Sequence, residues 1–155
     1  MKLYQYLKPE LINPNCQQST TEEILKEMVQ DLKSKDYISN DTITLQKLLE
    51  REKLGSTSIG NFSAVPHTKL KEIKDPIIYI GISKVGIRYH KDDKEPVHLI
   101  ILILSPNYSP IIHLQILAAA ASFIKKSSQT IKKIRSLETP EELYNLIKKY
   151  ENSDD

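Results

Sequence analysis

Apolar positions recur along this chain with two different periods, and the change from one to the other and back divides it into three stretches. From about Thr21 to Lys33, the apolar residues Ile24, Leu25, Met28, Val29 and Leu32 fall three and four apart, the spacing of one buried helix face. Thr20 stands ahead of them with Glu23 three residues on, a pairing that ties up the free donors of a helix start. After a polar loop (Ser34–Asn40), a second helix is predicted with Asp41 as its cap, Leu45, Leu48 and Leu49 as its buried stripe, and Gly55 as a left-handed stop. Arg51 then falls in the last turn of that helix, where a cation complements the helix dipole. Residues 1–18, with Pro9 and Pro14, read as an extended arm laid on the domain.

The middle of the chain reads as strands. Thr57–Val65 is predicted as one strand, followed by Pro66, which fixes its own φ and biases Val65 towards extended geometry. His67 is therefore expected to leave the sheet edge in a defined direction. Pro76–Ser83, a turn at Lys84-Val85-Gly86, Ile87–Tyr89 and then Val97–Leu104 follow, with weak alternation and many isoleucines, as in strands covered on both faces. Helical spacing returns at about Ile112–Lys126, with Leu114, Leu117, Ala118, Ala121 and Ile124 on one side, and a shorter helix is predicted near Gln129–Arg135. The last helix has Thr139 as cap, Pro140 as first residue and Glu142 as capping-box partner, with Leu143, Leu146, Ile147 and Tyr150 turned inward. The core is expected over about residues 3–150, with 151–155 as a frayed tail. Helices, then strands, then helices predict a single α/β sandwich with a mixed central sheet flanked by helices.

Composition narrows the function classes. A chain of 155 residues with 39% hydrophobic and 27% charged positions suits one soluble globular domain. A net charge of +2, with lysines scattered along the chain, gives no nucleic-acid footprint. The single Cys16 has no internal partner, which fits a reducing cytoplasm, and no signal-peptide pattern opens the chain. The longest apolar run, Val97–Leu104, is too short to span a bilayer.

Four histidines carry the candidate chemistry: His67, His90, His98 and His113. His67 follows a proline at a strand end, and a neutral imidazole is a good nucleophile near neutral pH. Arg51, at the other end of the same short unit, suits a phosphate oxygen through charge-assisted hydrogen bonds. A zinc site on His67 and His113 lacks a third ligand at metal-binding spacing, so no metal is expected. The HKDDKE segment reads as a solvated charged loop and His98 as a packing residue. No Gly-x-Ser-x-Gly elbow marks the chain as a hydrolase of that type.

The window Arg51–Thr68 resembles the signature of the fructose/mannitol/nitrogen-regulatory class of enzyme IIA domains of the bacterial phosphoenolpyruvate-dependent phosphotransferase system. The matching residues are Arg51-Glu52, Gly55-Ser56-Thr57, Ile59-Gly60-Asn61 and Ala64-Val65-Pro66-His67. Pro96-Val97, His113-Leu114-x-x-Leu117 and Thr139-Pro-Glu-Glu-Leu-Tyr extend the similarity over nearly the whole chain. The resemblance implies the mannitol-type IIA fold, with His67 as phosphoryl acceptor, His113 as phosphoryl stabiliser and Arg51 as phosphate clamp. Ser56 and Thr57 would add hydroxyl or backbone donors, and no cofactor is implied. The implied donor is a phosphorylated histidine carrier protein of the HPr or NPr type. A IIB component or a regulated target protein would lie downstream, and the absence of fused domains favours the nitrogen-regulatory branch. The chain departs from the pattern where the family has Gly and then an aliphatic residue, here Phe62 and Ser63, and where it has Gly after the active histidine, here Thr68. The other reading is a regulatory module that keeps the fold and binds partners without being phosphorylated, with Phe62 as a docking anchor.

Overall fold

The computed structural model describes residues 1–153. A short strand, β1 (Ile12–Asn13), precedes helices α1 (Thr21–Ser34) and α2 (Asp41–Leu54). Strands β2 (Ser58–Gly60), β3 (Ser63–Ala64), β4 (His67–Leu70), β5 (Ile77–Ile87) and β6 (Val97–Pro106) follow, and then helices α3 (Pro110–Ser127), α4 (Ile131–Ser136) and α5 (Pro140–Glu151). The strands form one six-stranded mixed sheet in the order β1-β5-β6-β3-β2, with β4 also paired to β6. β5 and β6 run antiparallel, whereas β3 and β4 both run parallel to β6. The predicted α/β sandwich with a mixed central sheet is what the chain forms. Among the described residues no helix is long and apolar enough to cross a membrane.

β6 explains the unbroken apolar run. Leu99, Ile101 and Ile103 join the core under α3, α4 and α5, while Ile100, Leu102 and Leu104 join the core under α1 and α2. Both faces are covered, so neither parity is free to be polar. Each such fully buried aliphatic side chain contributes about 1.5–3 kcal/mol of apolar burial.

Several boundaries differ from the sequence expectation. The predicted strand Thr57–Val65 is instead a tight hairpin, with Asn61 and Phe62 both at positive φ (54° and 60°) between β2 and β3. Two such residues in a two-residue loop make the turn that matches strand twist. Asn tolerates that region well and an aromatic residue does not, which hid the turn from a reading by propensity. His67 does not leave the sheet edge; it opens β4, set beside Ile103 of β6. The predicted turn at Lys84-Val85-Gly86 is an irregularity inside β5, where the register on β6 shifts between Ile82 and Ile87. Gly86 has φ 90° there, and a Cβ on it would come within 2.7 Å of the His98 ring. The cap of α2 is Asn40, whose side chain accepts the Ile43 N–H, one residue before the expected Asp41. Gly55 ends that helix at φ 155°, ψ 140°, not in the left-handed helical conformation. The arm is not simply extended, since it winds through two single 3-10 turns into β1.

α3 starts at Pro110, capped by the Ser109 side chain, and buries His113, Ile116, Ala119, Ala120, Phe123 and Ile124. Leu114, Ala118 and Ala121, expected on the inner face, are exposed. The last helix has its expected capping box, with Thr139 accepting the Glu142 N–H and Glu142 accepting the Thr139 N–H. Glu151, placed by the sequence reading in a frayed tail, is buried and helical; of the rest of that tail, Asp154 and Asp155 lie outside the described residues. Its carboxylate accepts the backbone N–H groups of Leu3 (2.7 Å) and Tyr4 (2.9 Å), and so ties the two ends of the described chain together. Glu151→Ala leaves both donors without a partner. It is expected to cost about 2 kcal/mol in urea unfolding, with Glu151→Gln losing less because one acceptor remains. An unchanged midpoint in Glu151→Ala would mean the arm holds by packing alone.

Candidate functional site: a pair of imidazoles at the sheet edge

Pro66 sets up the site. It has no N–H, so the ladder between β3 and β4 is interrupted there, although its carbonyl still accepts from Ile103 N at 2.9 Å. The carbonyl of Val65 is thereby left for a side chain, and it lies 2.8 Å from Nδ1 of His67. A carbonyl oxygen only accepts, so Nδ1 carries the proton and the neutral ring keeps its lone pair on Nε2. His113, in the first turns of α3, lies with its ring centroid 5.5 Å from that of His67, the planes tilted by 54°. Its Nδ1 lies 2.6 Å from the hydroxyl of Ser105, at the end of β6. Each Nδ1 is thus committed to the scaffold, and among the described residues neither Nε2 has a hydrogen-bond partner.

Both imidazoles are held below their ordinary pKa. For His67 burial is the main cause and the Arg51 charge adds to it, against the Val65 hydrogen bond and Glu52. For His113 burial leads, followed by His67 and then Lys69. His98, buried in β6 with Nδ1 2.7 Å from the Ser83 carbonyl, is lowered chiefly by burial as well. The linkage has a definite sign. The unfolded chain protonates these rings near pH ~6.5 while the folded chain resists, so below that value the unfolded state binds more protons and stability falls as pH falls. The urea midpoint is expected to drop between about pH 7 and about pH 5.5, and to drop less in His98→Gln, whose amide still serves the Ser83 carbonyl. Equal drops in both proteins would remove His98 from the account.

The other sequence candidates are placed as follows. Arg51, in the last turn of α2, donates through Nη1 to the Gly55 carbonyl at 2.7 Å, and its charge reaches His67. Thr57 is buried: its N–H meets Glu52 Oε1 at 3.0 Å, and its hydroxyl is shared between Glu52 and the Tyr89 hydroxyl. Tyr89 in turn donates to Glu52 at 2.8 Å, and burial with that carboxylate keeps its phenol well above the usual range. The Ser56 hydroxyl accepts the Ser58 N–H at 3.1 Å and meets the Ser58 hydroxyl at 2.9 Å. The structure therefore pairs His67 with His113, holds Arg51 on Gly55 with its charge reaching His67, and commits the Ser56 hydroxyl to the turn and the Thr57 hydroxyl to Glu52 and Tyr89. Phe62 is half-buried, its ring 6.1 Å from that of His98. In the charged loop, Asp93 accepts from the Ser58 hydroxyl at 2.6 Å and from His90 N at 2.9 Å, which makes it a strut for the hairpin.

Sequence reasoning missed three residues around the site: Ser105, Glu52 as the hub of the Thr57–Tyr89 cluster, and Lys69. Glu52 stood inside the quoted window and carried a usable signal. Ser105 carried none, because a serine at a strand end before Pro106 reads as an ordinary terminator.

A mixed sheet sandwiched by helices, with two imidazoles held below their ordinary pKa at its edge, defines a small α/β protein. The chain matches the family described as "Phosphoenolpyruvate-dependent sugar phosphotransferase system, EIIA 2" over residues 5–150, and it belongs to that family. It is 33% identical over 125 residues to the nitrogen regulatory protein of Klebsiella oxytoca, covering 78% of this chain and 75% of that protein. It is also 26% identical over 151 residues to the fructose-specific EIIABC component of Bacillus subtilis, covering 97% of this chain but only 24% of that longer protein. In fold it is similar to the nitrogen regulatory protein IIA-Ntr of Neisseria meningitidis, with a TM-score of 0.81 at 21% identity over 94% of this chain and 98% of that one. It is likewise similar to enzyme IIA mannitol of Escherichia coli in a complex with phosphorylated enzyme IIB mannitol, with a TM-score of 0.74 at 21% identity over 91% and 96% of the two chains.

Proposed function

We propose that this chain is a phosphocarrier that accepts a phosphoryl group on Nε2 of His67 from a phosphorylated histidine carrier protein and then passes it on. The observation that carries the reading is the imidazole pair 5.5 Å apart, each ring held through Nδ1. Burial keeps His67 neutral, so its Nε2 lone pair is available at neutral pH. In the transfer, the new bond forms between Nε2 and phosphorus as the donor's phosphorus–nitrogen bond breaks and its electron pair returns to the donor ring. Nδ1 keeps its proton on the Val65 carbonyl throughout. The transition state is loose, with charge spread over the equatorial oxygens, so the protein acts by positioning and by charge. His113 supplies an Nε2–H when the Ser105 hydroxyl donates to its Nδ1, and Arg51 supplies a cation. Ser56 and Thr57 support the site by holding the turn that follows Arg51.

Apolar side chains stand exposed on the elements that deliver the site: Leu54 at the end of α2, and Tyr108, Ile111 and Leu114 at the start of α3. Such a rim suits brief docking of a carrier protein. The nitrogen regulatory relative supports a regulatory role for the phosphorylated state, and the mannitol complex supports a IIB-type acceptor. The chain works in the cytoplasm, without a cofactor. Incubation with phosphoenolpyruvate, enzyme I and the histidine carrier, followed by intact-mass measurement, is expected to show one acid-labile phosphoryl group per chain. No gain with cognate carriers would sink the reading.

A further inference from the structure

Lys69 lies two residues beyond His67 on β4, so the two side chains leave the strand on the same face. The parallel register sets His67 beside Ile103 and Lys69 beside Ser105. Ser105 is the residue whose hydroxyl meets Nδ1 of His113. The lysine is therefore the cross-strand neighbour of the group that holds one wall of the site, and the next residue on that face after the ring that forms the other wall. It is half-buried. Among the described residues its ammonium makes neither an ion pair nor a hydrogen bond; the ion pairs present join Lys33–Asp41, Lys35–Asp31, Lys84–Glu138 and His90–Asp92. A partly desolvated cation with no anion beside it has lost hydration that nothing in the folded chain returns. Its charge is nonetheless directed at the site, since it helps to depress the His113 pKa just as Arg51 helps to depress that of His67. The two cations thus reach the ring pair from different elements, Arg51 from the end of α2 and Lys69 from β4.

We propose that Lys69 is the second cation of the phosphoryl site, its ammonium binding an oxygen of the group carried on His67 Nε2. This inference rests on His67 as the acceptor and adds a residue to that reading. Three equatorial oxygens share the charge of a transferring phosphoryl group. The Arg51 guanidinium and the His113 Nε2–H account for two, and Lys69 takes the third. A lysine binds an oxygen as a point charge on a flexible stem, so it can follow the group as it arrives and release it as it leaves.

The test uses a donor with no docking surface. Wild-type, Lys69→Met and Lys69→Arg proteins are incubated with phosphoramidate, whose phosphorus–nitrogen bond breaks as the Nε2–phosphorus bond forms, the nitrogen leaving as ammonia. Lys69→Met is expected to load about tenfold more slowly, the size of one charge-assisted hydrogen bond in the transition state, and Lys69→Arg to stay within about twofold of wild type. Phosphorus NMR titration of the loaded proteins supplies a readout that a merely structural role would not move. The phosphoryl group should hold its last proton to higher pH in Lys69→Met than in wild type or Lys69→Arg, because the neighbouring cation is gone. Equal loading rates and an unmoved titration in Lys69→Met would overturn the proposal while leaving His67 as acceptor. A wild-type protein that takes up no phosphoryl group from phosphoramidate or from the carrier protein would overturn both.

Discussion

His67→Ala is expected to take up no phosphoryl group under conditions that load the wild-type protein fully. Among the described residues no other nucleophile stands in the place of His67. His113, whose ring is the nearest candidate, carries its proton and not its lone pair on Nε2 when the Ser105 hydroxyl donates to Nδ1, and it is less exposed than His67. Cys16 is buried, with its thiol pushed up to about 12 mainly by that burial, so it is not a thiolate at neutral pH. The variant should fold, since His67 is only half-buried and alanine is tolerated at an edge-strand start. Matched melting curves with complete loss of the acid-labile mass gain are the expected pair of results. Loading of the alanine variant to the wild-type level would place the acceptor elsewhere and end the reading. The substitution His67→Gln makes a useful companion, because its amide can still donate to the Val65 carbonyl and so separates loss of the nucleophile from loss of that hydrogen bond.

The second large effect is expected at His113. Removing a donor aimed at charge that develops in the transition state commonly costs about 100- to 1,000-fold in rate, and His113→Ala should slow loading of His67 by that order. On the proposed reading, Ser105 acts on the phosphoryl group only through the His113 ring, which its hydroxyl meets at Nδ1. When its hydroxyl donates to Nδ1, the proton of the neutral imidazole is fixed on Nε2, where it can meet a phosphoryl oxygen. Ser105→Ala therefore leaves the donor present but lets the tautomer and the ring orientation vary, and about tenfold slowing is expected. Rapid-quench measurement of loading from the phosphorylated carrier, at saturating donor, reads both. If Ser105→Ala slows loading as much as His113→Ala, the serine touches the phosphoryl group itself. If neither slows it, His113 is a packing residue and the charge stabilisation falls to Arg51 and Lys69.

Much of this fold was legible one element at a time. The apolar face of α1 and the capping box of α5 were correct as read, because both rest on contacts within four residues of one another. On α3, Leu117 and Ile124 face the core as the spacing predicts, whereas Leu114, Ala118 and Ala121 do not. Ala118–Ala121 is apolar on every side, so spacing alone gives no direction, and the face is chosen by the large Phe123 and Ile116 and by the packing of His113 against β6. The hairpin at Asn61-Phe62 was missed for the opposite reason: the local residues argued for a strand, and the turn is set by the pairing of Ser63 and Ala64 with Leu99 and Ile100 of the central strand. The irregularity in β5 reads locally as a turn, because the two halves of the strand are joined through β6 and not through each other.

The site divides along the same line. The window from Arg51 to His67 is short, and its order alone determined that a cation, a hydroxyl-bearing turn and a Pro-His step would lie near one another. Even the His67 tautomer is decided within that window, since the Val65 carbonyl that holds Nδ1 is two residues away and Pro66 is what leaves it free. The nearness of His113, 46 positions later in the chain, depends on α3 crossing back over the end of β6. Ser105 and Lys69 become site residues only through the parallel register of β4 on β6, which no local pattern encodes. The sequence by itself determined the period of the elements and the Nδ1–H tautomer of His67, because backbone geometry and short-range hydrogen bonds are local. Only the tertiary structure decided which face each element buries and which groups surround the His67–His113 pair, because burial and strand register are settled between segments far apart in the chain.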